Sequence, residues 1–338
     1  MACIKAISIF SPPPPLSMCE NILTNSGLQF FFGNIDITKI AKSVGVNQRY
    51  VATENQTAAD MACEAANKLF EEWNVDRKSI DFIIFSTQSS DYFLPASSCV
   101  LQHRLGISTT AGAFDYGLGC SGYTYGLAMA KSFIDSGLAR NVLLLTGDTI
   151  SKYLHPEDKN RILFGDSATA TLISNEGLAE IGETVYGTDG SGAEAIIVKN
   201  GGSRHLARTG HEEKDGADNV RRDDYFYMNG EQVFNFTIDR VPQLIDDTLS
   251  KNNVKKEHID YYVFHQANKF MLNTIRKVCS ITKDKFYINI ENTGNTTSST
   301  IPIALKHCLD ENKIQKGQQV MIAGFGVGLS WAATVLKF

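Results

Sequence analysis

Short runs of apolar residues, each bounded by polar residues or glycine, recur along the chain. Continuous runs of this kind are typical of strands that helices cover on both faces of a sheet. The runs that predict buried strands are 81–85, 142–146, 261–264 and 320–323. The N-terminal sequence MACIKAISIF ends in a run of prolines and predicts a first strand rather than a signal peptide.

Two helices are predicted between these strands. Residues 57–73 carry apolar side chains at positions 61, 62, 65, 69, 70 and 73, which places them on one face of a helix. Residues 121–136 are small and apolar nearly all round, which indicates a buried helix. Strands that alternate with helices predict an α/β protein.

The chain contains two similar stretches of sequence. VDRKSIDFIIFS starts at Val75 and VKKEHIDYYVFH starts at Val254, and nearly the same shift aligns residue 142 with residue 320. It also superimposes the predicted helix after Cys120 on the one after Asn295. We expect two similar α/β halves that meet near residues 175–180; chance likeness of two buried strands is the alternative.

This repeat predicts two domains, residues 1–177 and 178–338. Residues 187–224 interrupt the pattern, because they are rich in Gly, Asp, Arg and Lys and lack an apolar period after Val198. A segment of this kind predicts a long loop, either functional or a solvated connector.

Composition narrows the possible classes of protein. The chain has 338 residues, of which 43% are hydrophobic, and a net charge of −5 without a basic block. Nucleic-acid binding is therefore not expected. No apolar run approaches the roughly 20 residues that span a membrane. The seven cysteines include no C-x-x-C pair and no zinc-ligand spacing, so we expect a reducing cytoplasm and no metal site.

Cys120 is the first candidate for chemistry. It lies among three glycines in DYGLGCSGY, directly ahead of the predicted buried helix. Glycine allows close approach of a substrate, and a helix N-terminus favours a thiolate. The same backbone can offer an N–H group to an oxyanion. A small buried cysteine without a chemical role is the alternative.

His265 and Asn295 are the second and third candidates. His265 directly follows a predicted buried strand, where catalytic side chains of α/β sheets collect, although a structural histidine would also fit. Asn295 lies in NTGNTTSST ahead of an apolar helix and is either an amide donor to a substrate or part of a helix cap. GFGVG at 324–328 adds a tight turn whose amides could face a ligand.

Together these motifs resemble the thiolase superfamily, and most closely β-ketoacyl-acyl carrier protein synthase III. His265 follows Cys120 by 145 positions and Asn295 follows His265 by 30, in the family's order. The segments that carry the resemblance are GCSGYTYGL around Cys120, LFGDSATATLI at 163–173, MNGEQVF at 228–234, HQAN at 265–268, NTGNTTSSTIPIAL at 292–305 and GFGVGLSWAA at 324–333.

The resemblance implies a thiolase-like fold with a layered α-β-α-β-α core, an N-terminal half that holds the nucleophile, and a cytoplasmic homodimer. It implies that Cys120 accepts an acyl group from a thioester. A malonyl unit on acyl carrier protein then loses CO₂, and its enolate attacks the acyl group while His265 and Asn295 stabilise the enolate oxygen. No metal or prosthetic cofactor is implied; the acyl donor is carried on coenzyme A or acyl carrier protein.

The resemblance also implies a wider substrate site. The N–H groups of Cys120 and Val327 would hold the oxyanion. The other residues implied to bind substrate are Gly326, Gly328, Asn268, Leu94 and Phe234.

The sequence departs from the family at three places. Where the family clamps adenine between Trp and Arg, this chain has Lys39 and Ser43, so a carrier-protein donor becomes plausible. Leu94 stands near the position of an aromatic residue that the partner subunit lends to the acyl pocket. After HQAN the family often has Leu-Arg, where this chain has Lys269-Phe270. The spacing of Lys269, Asn273 and Arg276 places them on one helix face, which is either a basic face that docks the carrier protein or a solvated face. Lys269 and Arg276 are the docking residues that we predict.

Two other functions remain open at this point. An acyltransferase of the same fold could move the acyl group to an oxygen or nitrogen acceptor, although such relatives often alter the His–Asn pair. A non-catalytic partner subunit would typically lose the nucleophile, which this chain keeps. Degradative thiolases carry a second cysteine near the glycine loop, and residues 317–338 contain none. Decarboxylative condensation is therefore favoured.

Overall fold

The computed structural model describes residues 1–12, 22–32, 36–214 and 220–338. The strands in this part of the chain are β1 Cys3–Phe10, β2 Ile22–Thr24, β3 Gln48–Tyr50, β4 Phe82–Ser86, β5 Gly112–Tyr116, β6 Asn141–Asp148, β7 Ser167–Ser174, β8 Ala179–Ile181, β9 Val185–Thr188, β10 Ile196–Val198, β11 Glu212–Lys214, β12 Val220–Arg222, β13 Phe226–Met228, β14 Tyr261–Phe264, β15 Gln319–Gly326 and β16 Ser330–Lys337. The helices there are α1 Asn25–Phe32, α2 Ile37–Val44, α3 Ala58–Glu72, α4 Ser97–Arg104, α5 Gly122–Asp135, α6 Gly230–Lys251, α7 Lys269–Val278 and α8 Thr300–Asp310.

The main sheet has the strand order β14-β15-β16-β8-β1-β7-β6-β4-β5, and β9 pairs with β16. In the first half β4 is parallel to β6, and β6 is antiparallel to β7. In the second half β14 is parallel to β15, and β15 is antiparallel to β16. The same order and direction recur, which confirms the prediction of two similar α/β halves. The boundary between residues 177 and 178 stays a prediction.

Helices form three layers, one on the outer side of each half of the sheet and one between the two halves. α3 packs on β1, β6 and β7, whereas α6 packs on β9, β15 and β16. α5 and α8 contact strands of both halves and therefore lie between them. The order of layers is therefore helix, first half of the sheet, central helices, second half of the sheet and helix. This is the predicted layered core.

The buried runs explain why the layers hold together. In β4, Ile83 and Phe85 pack on the side of α3, while Ile84 faces the central layer with Tyr123 of α5 and Ile301 of α8. Both faces of the strand are therefore covered, as the continuous apolar runs predicted. All four predicted strands and both predicted helices are present, and β1 confirms the N-terminal strand.

The segment 187–224 is not one long loop, so that prediction is wrong. β10 pairs with β13, and β11 pairs with β12, both in antiparallel register. Ion pairs stabilise this region, because Arg222 contacts both Glu212 and Glu157. The charged composition hid these short strands. Within the described ranges, every helix is too short or too polar to cross a membrane.

Candidate active site

Cys120 lies in the turn between β5 and α5, pressed against the end of β15. A Cβ atom added at Gly326 would lie 2.7 Å from the Cys120 Sγ atom, and one added at Gly324 would lie 2.5 Å from the Cys120 carbonyl oxygen. Only glycine permits this approach. The helix itself begins at Gly122, so the thiol lies just ahead of its first turn.

Burial raises the pKa of the Cys120 thiol to about 11, and the carboxylate of Asp148 acts in the same direction. Hydrogen bonds from the backbone N–H groups of Val327 and Cys120 oppose this shift. The expectation that the helix end favours a thiolate is therefore wrong for the free protein, because loss of water outweighs the backbone groups. A thiol in this state needs a proton acceptor before its sulfur can act as a nucleophile.

His265 follows β14, and its backbone N–H donates to Ala323 of β15 over 2.8 Å. The Nδ1 atom of the ring lies 2.7 Å from the hydroxyl oxygen of Thr300. That oxygen lies 3.0 Å from the carbonyl oxygen of Thr297. A hydroxyl can donate or accept, so Thr300 satisfies Nδ1 in either tautomer of the ring. Burial lowers the pKa of His265 to about 3, which keeps the imidazole neutral.

Asn295 is held by its backbone and by its side chain. Its backbone N–H donates to the carbonyl oxygen of Leu163 over 2.9 Å, and its Oδ1 accepts from the N–H of Thr297 over 2.9 Å. The amide nitrogen donates one hydrogen to the carbonyl oxygen of Ala267 at 3.3 Å, so a second N–H remains for a ligand. α8 begins at Thr300, so Asn295 is not its cap.

One narrow cavity of about 90 Å³ brings the three candidates together. Cys120, His265 and Asn295 all line its wall. Apolar side chains make up much of the rest, among them Ile150, Leu163, Phe164, Ile196, Phe226, Met228, Val233, Met271 and Phe325. The arrangement combines a thiol, a neutral imidazole and an amide donor in a site that excludes most water.

Of the other predicted residues, Gly326, Val327 and Asn268 also line this cavity. The Oδ1 of Asn268 accepts from the N–H of Met271 over 2.8 Å and so caps α7. Gly328 is absent from the cavity wall, to which the glycine loop contributes Phe325, Gly326 and Val327.

Phe234 does not line the cavity, contrary to the prediction. Its ring stacks on that of Phe270 with the centroids 5.7 Å apart, between α6 and α7. The residues of α6 that reach the cavity are Gly230, Val233 and Thr237. The packing of α6 against the second half of the sheet determines which of its side chains face the cavity.

Leu94 also lies outside the Cys120 cavity within this chain. It is 83% exposed and lines a larger, neighbouring cavity of about 970 Å³ together with Tyr92 and Phe93. The two cavities share Gln88 and Val327 among their lining residues. A role of Leu94 at the Cys120 of the same chain is therefore excluded by its position.

Asp148 belongs to the site and was missed. Its side chain is 1% exposed, at the end of β6, and it accepts hydrogen bonds from Thr297, Ser298 and the N–H of Gln88. Burial raises the pKa of Asp148 to about 6. Its position could have indicated it, because Asp148, like His265, is a polar residue at the end of a buried strand.

Lys269 and Arg276 line one open cleft of about 540 Å³ on the outside of α7. Asn273 lies between them, and Lys283 and Lys313 face the same cleft. Within the described ranges, no acidic side chain pairs with Lys269, Arg276 or Lys283. Asp284 and Glu291 also line the cleft, so four basic and two acidic side chains face it and its net charge is positive.

The chain is similar to known proteins of one family. The family described as 3-oxoacyl-[acyl-carrier-protein (ACP)] synthase III matches residues 114–190, and its C-terminal part matches residues 249–338. A β-ketoacyl-[acyl-carrier-protein] synthase III from Caldanaerobacter subterraneus subsp. tengcongensis is 34% identical over 94% of this chain and 94% of its own length.

Two solved structures extend the likeness to the fold. A crystal structure of a 3-oxoacyl-(acyl-carrier-protein) synthase III is 46% identical, with a TM-score of 0.94 over 100% of this chain and 99% of its own. A 3-oxoacyl-(acyl-carrier protein) synthase from Burkholderia xenovorans LB400 is 33% identical, with a TM-score of 0.90 over 99% of this chain and 93% of its own.

Proposed function

Because the chain belongs to the 3-oxoacyl-[acyl-carrier-protein] synthase III family, we propose that it condenses an acyl thioester with malonyl-acyl carrier protein through an acyl group on Cys120. The observation that carries this proposal is the single cavity that Cys120, His265 and Asn295 line together. These residues come from both halves of the chain, so the fold itself assembles the site.

In the first half-reaction the thiol of Cys120 gives its proton to Nε2 of His265, and the sulfur attacks the carbonyl carbon of the donor thioester. The N–H groups of Cys120 and Val327, which already point at the sulfur, hold the resulting oxyanion. The bond to the donor sulfur then breaks, and the departing thiolate takes the proton back from His265.

In the second half-reaction the malonyl carboxylate leaves as CO₂, and the electron pair of the broken carbon–carbon bond passes into an enolate. When the first product leaves, the imidazole releases its Nδ1 proton to water and takes one up at Nε2, and the Thr300 hydroxyl then donates to Nδ1. The free N–H of Asn295 and the Nε2–H of His265 donate to the enolate oxygen. The enolate carbon attacks the acyl carbon on Cys120, the carbon–sulfur bond breaks, and the Cys120 thiolate takes up a proton from water. Neutral donors suffice, because loss of CO₂ supplies the carbanion.

Two residues of α2 bear on which carrier brings the donor acyl group. Lys39 and Ser43, at the positions where the family clamps adenine, are both exposed on α2 and offer neither an indole nor a guanidinium group. We therefore favour acyl carrier protein over coenzyme A as the donor carrier, in the cytoplasm that the cysteine pattern predicts.

Intact-protein mass spectrometry tests the function directly. The wild-type protein is incubated with a panel of acyl thioesters on coenzyme A and on acyl carrier protein, and malonyl-acyl carrier protein is then added. We expect a mass increase of one acyl group on Cys120, which disappears with release of CO₂ and formation of a 3-oxoacyl product. Acyl transfer to an alcohol or amine without CO₂ release would instead support the alternative acyltransferase.

The basic cleft provides the second prediction. Acyl carrier proteins are acidic, so we expect Lys269→Glu and Arg276→Glu each to raise the KM for malonyl-acyl carrier protein about tenfold while kcat changes little. Steady-state kinetics measure both constants. Lys277→Glu is the matched control, because Lys277 is exposed on the same helix but does not line the cleft. Equal effects of all three variants would exclude a specific docking face.

A homodimer is the remaining part of the proposal. Tyr92, Phe93 and Leu94 form an apolar tip with exposures of 60%, 87% and 83%. Exposed apolar side chains that stand together are typical of a protein interface. Light scattering on the purified protein measures the assembly, and a stable monomer would contradict this part.

A further inference from the structure

Thr297 has an unusual backbone conformation. Its φ angle is +51°, in the left-handed region that a β-branched residue rarely adopts. The other non-glycine residues with positive φ in the described ranges each lie just past a helix and are Asn74, Asn253, Ser280 and Asn312. Thr297 is therefore the exception, and an outlier of this kind at a reactive cavity indicates a functional constraint.

This conformation lets one residue orient both members of the His–Asn pair. The N–H of Thr297 donates to Oδ1 of Asn295 over 2.9 Å, which turns the amide nitrogen towards Ala267 and the cavity. The carbonyl oxygen of Thr297 lies 3.0 Å from the Thr300 hydroxyl, which contacts Nδ1 of His265 at 2.7 Å. A change of φ at Thr297 would move both contacts together.

The carboxylate of Asp148 holds the same segment from the other side. Its Oδ2 accepts from the hydroxyl of Thr297 and, over 2.8 Å, from the hydroxyl of Ser298. Its Oδ1 accepts from the N–H of Gln88 over 2.7 Å. Within the described ranges no cation pairs with this carboxylate, so hydrogen bonds alone compensate for its burial.

Asp148 is itself fixed by the sheet. It is the last residue of β6, which pairs with β4 on one side and with β7 on the other. The side chain therefore links the rigid centre of the sheet to the loop that carries Asn295 and Thr297. Burial of a carboxylate without an ion pair costs free energy of folding, which indicates that Asp148 has a role in the site.

We propose that Asp148 is a positioning residue, which holds Thr297 in its left-handed conformation and through it orients His265 and Asn295 for condensation. The inference rests on the proposed function. Acylation of Cys120 uses His265 but not Asn295, and its oxyanion contacts come from Cys120 and Val327. Loss of the Asp148 carboxylate should therefore impair decarboxylation more than acylation.

The test is the Asp148→Asn variant, which keeps the shape of the side chain and removes its charge. We expect CO₂ release from malonyl-acyl carrier protein to fall about 100-fold and the rate of Cys120 acylation to fall less than tenfold. Thr297→Gly in the same background should recover at least tenfold of the lost CO₂ release, because glycine adopts positive φ without help. A purely structural role of Asp148 would not give this rescue.

Controls make the outcome decisive. Asp115→Asn removes a carboxylate that accepts two backbone N–H groups, from Ser97 and Ser98, outside the cavity, and should leave the ratio of the two rates unchanged. If Asp148→Asn does not fold, Thr297→Val removes the same contact and should give the same selective loss.

Equal losses in both half-reactions, or no rescue by glycine, would overturn the inference. In that case a wild-type enzyme that still condenses would leave the proposed function intact. A wild type without CO₂ release would count against the function instead.

Discussion

Cys120→Ala should abolish acyl-enzyme formation and lower condensation on the order of 10⁴- to 10⁶-fold, as removal of a catalytic nucleophile does in other enzymes. The variant keeps His265 and Asn295, so decarboxylation of malonyl-acyl carrier protein should continue within about tenfold of the wild-type rate. Intact-protein mass spectrometry after incubation with acyl thioesters measures the first effect, and release of labelled CO₂ measures the second.

Cys99→Ala is the matched control for this experiment. Cys99 is exposed at the start of α4 and lies outside the cavity, so its removal should change neither rate. An acyl label that persists on the Cys120→Ala protein at the wild-type level would refute Cys120 as the nucleophile. A loss of decarboxylation as large as the loss of acylation would show that the two half-reactions are not separable.

The fold was predictable because its evidence is local and repeated. Each continuous apolar run became a strand that is buried on both faces, and the recurrence of Val75–Ser86 near Val254 marked the second half. The short strands β10 to β13 were not predictable, because they have three residues each and lie in a charged segment without period. Pairing there depends on contacts with distant residues, such as that of Arg222 with Glu157.

The three cavity residues were predictable from their motifs, whereas their electrostatics were not. The sequence indicates that Cys120 precedes a helix, which favours a thiolate, but the burial that raises its pKa to about 11 depends on β15 and the glycine loop. Asp148 contributes to that shift from β6. Long-range packing thus reversed a prediction made from local structure.

The sequence also did not show which side chains of α6 face the cavity. Val233, Phe234 and Thr237 are close in sequence, and a motif match could not tell which of them faces the substrate. Packing of α6 on β15 and β16 turns Val233 and Thr237 inward and leaves Phe234 stacked on Phe270. Likewise, the exposure of Leu94 depends on the contacts of its loop, which the local sequence does not predict.

His265→Ala should impair both half-reactions, each by about 10²- to 10⁴-fold, the usual contribution of a positioned acid or base. The thiol of Cys120 would lose the acceptor of its proton, and with a pKa of about 11 it would hardly ionise at neutral pH. The enolate oxygen would lose one of its two donors. Single-turnover acylation and CO₂ release, measured on the same preparation, separate the two effects.

His307→Ala is the matched control for His265→Ala. His307 lies on α8, is also partly buried with a lowered pKa, and bonds Asn289 through Nδ1 over 2.8 Å, outside the cavity. Its loss should affect neither rate, although it also removes an imidazole whose pKa is lowered by burial. If the His265→Ala protein acylates Cys120 at the wild-type rate, another group must take the thiol proton. Asp148, which lies behind Thr297 and whose carboxylate already acts on the thiol, would then be the candidate to test.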